Sequence, residues 1–259
     1  MKIAVLGPKY SYSHILGMRN FPEDEFKLCI SITKVFDDIS DGDADLGIVP
    51  IENMLQGTVR ESILALLKYK VKIRKGFNFH IRHCLAGNSE CRKIISHPQA
   101  LGQCSGFVSG KETIGCASTA KAMQIAAEDP EFTAIGSKEA AKNYGLQVLE
   151  ENISDNKDNM TRFLLISKEE NDEGANTSLL LNPKEDKPGL LFQILSPFAA
   201  QGINLSKIES LPSGKKIGEY VFYIEVSGSL NDQKVRSAIE FLKNILEVYS
   251  FGSYDVQEI

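Results

Sequence analysis

A hydroxyl, a permanent cation and an aromatic ring stand in a row at Asn159-Met160-Thr161-Arg162-Phe163, where the acidic, hydroxyl-bearing loop 153–158 enters an apolar run at 163–166. Arginine's planar fork meets a carboxylate through two parallel hydrogen bonds, so Arg162 is a candidate for holding a small organic acid and Thr161 for acting beside it. The same residues also suit an ordinary ion pair between Arg162 and Asp155 or Asp158 at the base of the loop. A second cluster, Pro50-Ile51-Glu52-Asn53, sets a carboxylate and an amide directly after the apolar run 46–49, where neither has an evident packing role; Glu52 could equally anchor a loop. Hydroxyls and amides recur at Gly7-Pro8-Lys9-Tyr10-Ser11-Tyr12-Ser13, Asn53-Met54-Leu55-Gln56-Gly57-Thr58, Ser96-His97-Pro98-Gln99 and Ser118-Thr119-Ala120. Each falls where a strand hands over to a helix, a place rich in free backbone N–H groups and the positive end of a helix dipole, and therefore suited to anions. Serine and threonine are also good helix caps, so one such turn decides nothing; two or more converging on one cleft would make a pocket for a dianion.

The elements that must position these residues are short. Apolar runs predict strands at 3–6, 46–49, 71–73, 78–85, 92–96, 113–116, 133–135 and 163–167, and between them lie helical stretches. One follows Ser11, one covers 32–38, one aligns Val59, Ile63, Leu66 and Leu67 on a single stripe, and others begin near Pro98, Thr119 and Lys138, the last capped by Gly145. This alternation is the mark of βα units around mainly parallel sheets and assigns residues 1–168 to one α/β domain. A polar, acidic stretch at 169–176 reads as a linker. Beyond it the order is strand 177–181, helix 189–200, strand 204–210, strand 220–226, helix 232–246 and strand 248–254, a ferredoxin-like βαββαβ unit over 177–259.

Composition narrows the function. The 259 residues carry a net charge of -5 with no long run of one sign, which disfavours nucleic acid and anionic membrane surfaces as partners. No apolar stretch is long enough to span a bilayer, and the short amino-terminal one is no signal core. Five cysteines (Cys29, Cys84, Cys91, Cys104, Cys116) without a CxxC pair fit reduced, core-filling thiols in a cytoplasm. His80 and His83 sit in an alternating run that would point them to opposite strand faces, so no metal is expected.

Taken together, Gly7-Pro8, Pro50-Ile51-Glu52-Asn53 with Gly57 and Val59, Ile81-Arg82-His83, Ser96-His97-Pro98-Gln99-Ala100-Leu101 with Gln103-Cys104, Ser118-Thr119-Ala120 and Asn159-Met160-Thr161-Arg162-Phe163-Leu164 resemble the prephenate dehydratase family. Pro188-Gly189 and Asn204-Leu205 leading to Ile208-Glu209-Ser210 resemble that family's carboxy-terminal ACT regulatory domain. The resemblance implies two lobes of the periplasmic-binding-protein type, with the second lobe at roughly 77–158 and the catalytic cleft between them. It implies cofactor-free conversion of prephenate to phenylpyruvate, water and carbon dioxide. Thr161 would hydrogen-bond the leaving hydroxyl and Arg162 a carboxylate, with Asn53 and Glu52 nearby and Ser11, Ser13, Gln99, Ser118, Thr119 and Phe163 lining the pocket. In the second domain it implies a phenylalanine site using Gly189, Leu190, Leu191, Asn204, Glu209 and Ser210, in a homodimer or homotetramer. Tyr10 and Ser11 replace the family's glycine and threonine, Met54 replaces a serine, and Leu211 an arginine. Arogenate dehydration, decarboxylation of prephenate with retention of its hydroxyl, and ligand sensing without catalysis are the competing readings.

Overall fold

Helix-capping serines between apolar runs build a βα lobe over the first eighty residues. In the computed structural model, which describes residues 1–90, 93–185, 187–212 and 219–259, this lobe comprises β1 (Lys2–Leu6), α1 (Tyr12–Asn20), β2 (Glu25–Cys29), α2 (Ile32–Asp41), β3 (Leu46–Asn53), β4 (Gly57–Thr58), α3 (Arg60–Tyr69) and β5 (Lys72–His80). Ser11 and Ser31 cap α1 and α2 by accepting from the backbone N–H groups of His14 and Lys34. Strand β2 escapes the sequence pattern because it is an edge strand: Glu25 and Leu28 are exposed, and only Cys29 is buried.

The second lobe contains β6 (Cys84–Gly87), β7 (Lys93–Ser96), α4 (Pro98–Gln103), α5 (Ser105–Val108), β8 (Glu112–Gly115), α6 (Thr119–Glu128), β9 (Phe132–Gly136), α7 (Lys138–Asn143) and β10 (Val148–Glu150). Its sheet order is β10-β6-β9-β7-β8. The chain then returns as β11 (Met160–Ser167), which inserts between β5 and β3 and runs antiparallel to both. The sheets are therefore mixed rather than mainly parallel, since a strand re-entering from the other lobe must run against its neighbours. The expected strands at 71–73 and 78–85 are instead one strand, β5, followed by a break at 81–83 and then β6. Phe77 and Phe79 alternate into the first lobe's core, so the second lobe begins after His80. Cys91, and the first residue of the expected strand 92–96, lie outside the described residues.

The second domain comprises β12 (Asn176–Pro183), α8 (Leu190–Ala200), β13 (Leu205–Pro212), β14 (Tyr220–Ser227), α9 (Gln233–Lys243) and β15 (Leu246–Tyr254), in the fully antiparallel order β13-β14-β12-β15. Helix α9 stops at Lys243, because Leu246 is already paired with Pro183 in the sheet. Leu179, Leu181, Ile224 and Val226 face the helices, while Leu180, Val221, Tyr223 and Tyr254 on the other face join Ile51, Ile73, Leu164 and Ile166 of the first domain in one core. Leu211 is buried there as well. The linker is pinned: Asn171 Nδ2 donates to the carbonyls of Ile73 and Arg74 (3.3 and 3.2 Å) and to that of Ser253. The final strand, β16 (Val256–Glu258), leaves the second domain and pairs in parallel with β5.

Candidate active site

The pairing directions bring the carboxyl ends of β1, β3 and β5 and the amino end of β11 to one edge of the first sheet. Both crossings to the second lobe leave from this edge. In that lobe β7, β8 and β9 are parallel, and their carboxyl ends feed α4, α6 and α7, so Gln99, Ser118 and Thr119 stand at helix starts on one edge. The lobes touch through the Tyr10 and Tyr144 rings (5.3 Å between centroids, edge to face), an Arg19–Glu139 ion pair, and Tyr12 OH 3.0 Å from His83 Nδ1. His83 Nε2 is in turn 3.0 Å from Gln103 Oε1. Burial holds the His83 imidazole below its usual pKa despite this bond, so it is the neutral form that bridges the lobes.

Asn53 ties β3 to the start of β11. Its Nδ2 lies 2.9 Å from Thr161 Oγ1, 3.0 Å from Asn159 Oδ1 and 3.2 Å from the carbonyl of Met160. Its Oδ1 accepts from the backbone N–H groups of Leu55 and Gln56, which fixes the turn into β4. Thr161 Oγ1 thus accepts one bond and keeps its own hydrogen to donate. Asn159 is 1% exposed, and its Nδ2 has no partner among the described residues. Sequence reasoning did not place Asn159 in the site, although a spacing of two from Thr161 puts both on one strand face. Phe163, two residues further on, packs edge-on to Phe79 (6.3 Å) on that same face.

Arg162 points the other way. Alternation along β11 turns it toward the second domain, where Nη1 donates to Glu225 Oε1 at 3.0 Å, while Nε donates to Asn78 Oδ1 on the neighbouring β5 at 2.9 Å. It is neither beside Thr161 nor paired with Asp155 or Asp158; Asp155 accepts from Ser105 Oγ and the Gly106 N–H instead. Glu52 shares the Arg162 face and pairs with Lys207 Nζ on β13 (2.6 Å), so it anchors the domain interface rather than joining Asn53.

Ser11 Oγ donates to the carbonyl of Leu6 (2.6 Å) while capping α1, and Ser118 caps α6 through the Lys121 N–H. The Ser11 hydroxyl is committed as donor and acceptor, Ser118 Oγ accepts one bond, and the helix starts they shape remain. Ser13 is buried, and Gln99 and Thr119 are half-buried. Tyr10 adopts φ 64°, a left-handed conformation that explains why glycine suits this position. Met54 is exposed. In the second domain Gly189 (φ 81°) precedes α8 with no side-chain cap, Leu190 is buried and Leu191 exposed. Asn204 leads into β13, which carries Glu209 and Ser210. Glu209 Oε2 accepts from Thr58 Oγ1 (3.2 Å) on β4, beside a cleft of about 640 Å³ between the domains lined by Glu52, Arg60, Lys207 and Glu209. Among the described residues no three His, Cys, Asp or Glu side chains gather as metal ligands, and no helix is long and apolar enough to cross a membrane.

The model of the prephenate dehydratase family matches residues 3–171, and that of the ACT domain matches residues 185–244. A prephenate dehydratase of Methanocaldococcus jannaschii is 39% identical over 96% of each chain. A crystal structure of prephenate dehydratase from Arthrobacter aurescens, described as a complex with L-Phe, superposes with a TM-score of 0.90 at 29% identity, over 98% of this chain and 90% of that one. A structure described as GqqA, a novel type of quorum-quenching acylase, superposes with a TM-score of 0.88 at 26% identity, over 98% and 97% of the two chains. With the dehydratase model covering more than half its length and the ACT model most of the rest, the chain belongs to the prephenate dehydratase family.

Proposed function

We propose that this protein converts prephenate to phenylpyruvate, with Thr161 as the group that meets the departing hydroxyl. The observation that carries the reading is the Asn53–Thr161 hydrogen bond: Asn53 donates to Oγ1, at the sheet edge that faces the second lobe, and so leaves the Thr161 hydrogen free to donate. Prephenate is a dianion whose ring becomes aromatic when carbon dioxide and hydroxide depart, so the protein needs chiefly to hold two carboxylates and stabilise the leaving oxygen. An alcohol is a poor acid at neutral pH, and Thr161 acts as a donor to developing charge. The unpartnered Asn159 Nδ2 adds a second donor on the same face. The starts of α1 and α6, with the Gln99 amide, supply neutral N–H donors for the carboxylates. Nothing in this chemistry calls for a cofactor.

The second domain senses phenylalanine. The uncapped start of α8 at Gly189 offers N–H groups to an amino acid carboxylate, and Asn204, Glu209 and Ser210 lie on or before the edge strand β13. That unpaired edge, with Leu191 and Phe192 exposed on α8, suits side-by-side pairing with a second copy in a dimer or tetramer. Cys29, Cys84, Cys104 and Cys116 are all free thiols, which fits a reducing cytoplasm.

The test is incubation with prephenate at neutral pH, and separately with arogenate, following the aromatic product with and without phenylalanine. Phenylpyruvate formed with turnover and suppressed by phenylalanine is the expected result. Preference for arogenate would move the substrate, a non-aromatic decarboxylated product would change the reaction, and binding without product would reduce the chain to a sensor.

A further inference from the structure

The strand that carries Thr161 is held from behind by the other domain. Arg162 Nη1 donates to both oxygens of Glu225 on β14 (3.0 Å to Oε1, 3.4 Å to Oε2). Glu225 is 3% exposed and takes two further bonds, from Ser206 Oγ to Oε1 (2.9 Å) and from Tyr254 OH to Oε2 (3.0 Å). Tyr254 is set in turn by Ser178 Oγ (2.6 Å), which also meets Tyr223 OH (2.9 Å). This carboxylate is fully enclosed, and the cation that balances it comes from the first domain. A guanidinium so committed cannot also grip a substrate without stranding a buried charge. It also lies on the wrong face, because a ligand at Thr161 is separated from it by the thickness of the strand.

The tie has a reason to exist at this residue. The pairing of β11 with β3 shifts register between Arg162 and Phe163, so Thr161 and Arg162 sit beyond an irregularity in that ladder, near the amino end of β11, while the pairing with β5 runs unbroken from Leu165 to Met160. Side-chain bonds on both faces of the strand add to the backbone pairing there. Asn53 supplies them on the cleft face, and Glu225 through Arg162 does so on the other.

We infer that Glu225 is a positioning residue for the dehydration, acting through Arg162 to set Thr161 against Asn53, and that Arg162 is its anchor and not the substrate's carboxylate ligand. The inference rests on the dehydratase reading above. It makes the second domain part of the catalytic apparatus: Ser206 lies between Asn204 and Glu209 on the strand assigned to the effector, and it bonds directly to Glu225.

Steady-state turnover of prephenate by the full chain tests it, with Glu225→Gln, Arg162→Gln and the double variant compared to wild type. Glu225→Gln lowers kcat at least tenfold with KM within threefold of wild type, and the double variant is no worse than Arg162→Gln alone, as for two residues acting as one unit. Ser206→Ala keeps the ion pair but removes one donor, and lowers kcat several-fold with a smaller drop in unfolding midpoint than Glu225→Gln, which keeps the test readable should Glu225→Gln fold poorly. The inference is overturned if Arg162→Gln raises KM tenfold or more while kcat stands, since Arg162 then holds substrate. It is equally overturned if Glu225→Gln or Ser206→Ala shifts only the unfolding midpoint. A wild-type chain that yields no phenylpyruvate overturns the dehydratase reading, and this inference with it.

Discussion

The two faces of β11 do different work with alternate residues of one short strand. Thr161 and Phe163 face the first lobe's own core and the cleft edge, in a neutral setting of amides and rings. Arg162, Leu164 and Ile166 face the second domain, with a buried ion pair at the end and apolar packing below it. A hydroxyl that must donate at neutral pH is best held by neutral partners, while a domain interface that must keep one register is best fixed by a charge pair that has no alternative partner. Placing both on one strand means that movement of the second domain can reach Thr161 through its immediate neighbour, Arg162.

The largest separation between the faces is expected in stability. Arg162→Gln leaves Glu225 buried without its cation, and unfolding in denaturant should show a loss of about 3–5 kcal/mol. A loss under 1 kcal/mol would mean that the pair is solvated and the contrast between faces is false. Asn53→Ala sharpens the other side. It strips Thr161 of its partner and frees the turn N–H groups of Leu55 and Gln56, so a loss of about 1–3 kcal/mol is expected by the same measurement, together with a fall in kcat.

Acid should act on the cleft side first. Burial, with Lys9 nearby, holds His14 below its usual pKa, and burial does the same to His83. His14 Nδ1 accepts from the Tyr10 N–H (2.9 Å), a bond that only the neutral ring can make. A depressed folded-state pKa means that the unfolded chain takes up protons first, so this stability is complete above about pH 6.5 and is lost as pH falls through the folded values. Thermal unfolding from pH 8 to 5 should show that decline, and His14→Gln with His83→Gln should flatten it; an equal decline in the double variant would assign the effect to other groups. The smallest change is expected from Tyr10→Gly. Relief of the left-handed backbone offsets the lost contact with Tyr144, and the net shift should stay within about 1 kcal/mol.

Much of this was legible beforehand. Capping serines, the glycine ends of helices and the βαββαβ order are local signals, and they located most helices and the second domain. That Asn53 stands near Thr161 was implied by the family resemblance and by no local pattern. The direction of Arg162 did not, even though the period-two argument applied to His80 and His83 holds equally for Thr161 and Arg162 on an extended strand. That argument in turn misplaced His83, because the strand it assumed breaks at 81–83, where the chain crosses between lobes. The partner of Arg162 could not be read at all: Glu225 is sixty-three residues away, in a strand whose alternation shows only that one face is apolar. Nor did local pattern show that β16 returns to the first sheet, since edge pairing across domains leaves no periodic trace.

The central claim is that the Thr161 face carries the chemistry. Turnover of prephenate by Thr161→Ala, measured beside its unfolding midpoint, tests it most directly. Loss of one donor to a developing oxyanion predicts a fall in kcat of about 10²–10³ with KM and the midpoint near wild type, and recovery of much of the activity in Thr161→Ser. A Thr161→Ala chain that turns over prephenate at the wild-type rate would contradict it.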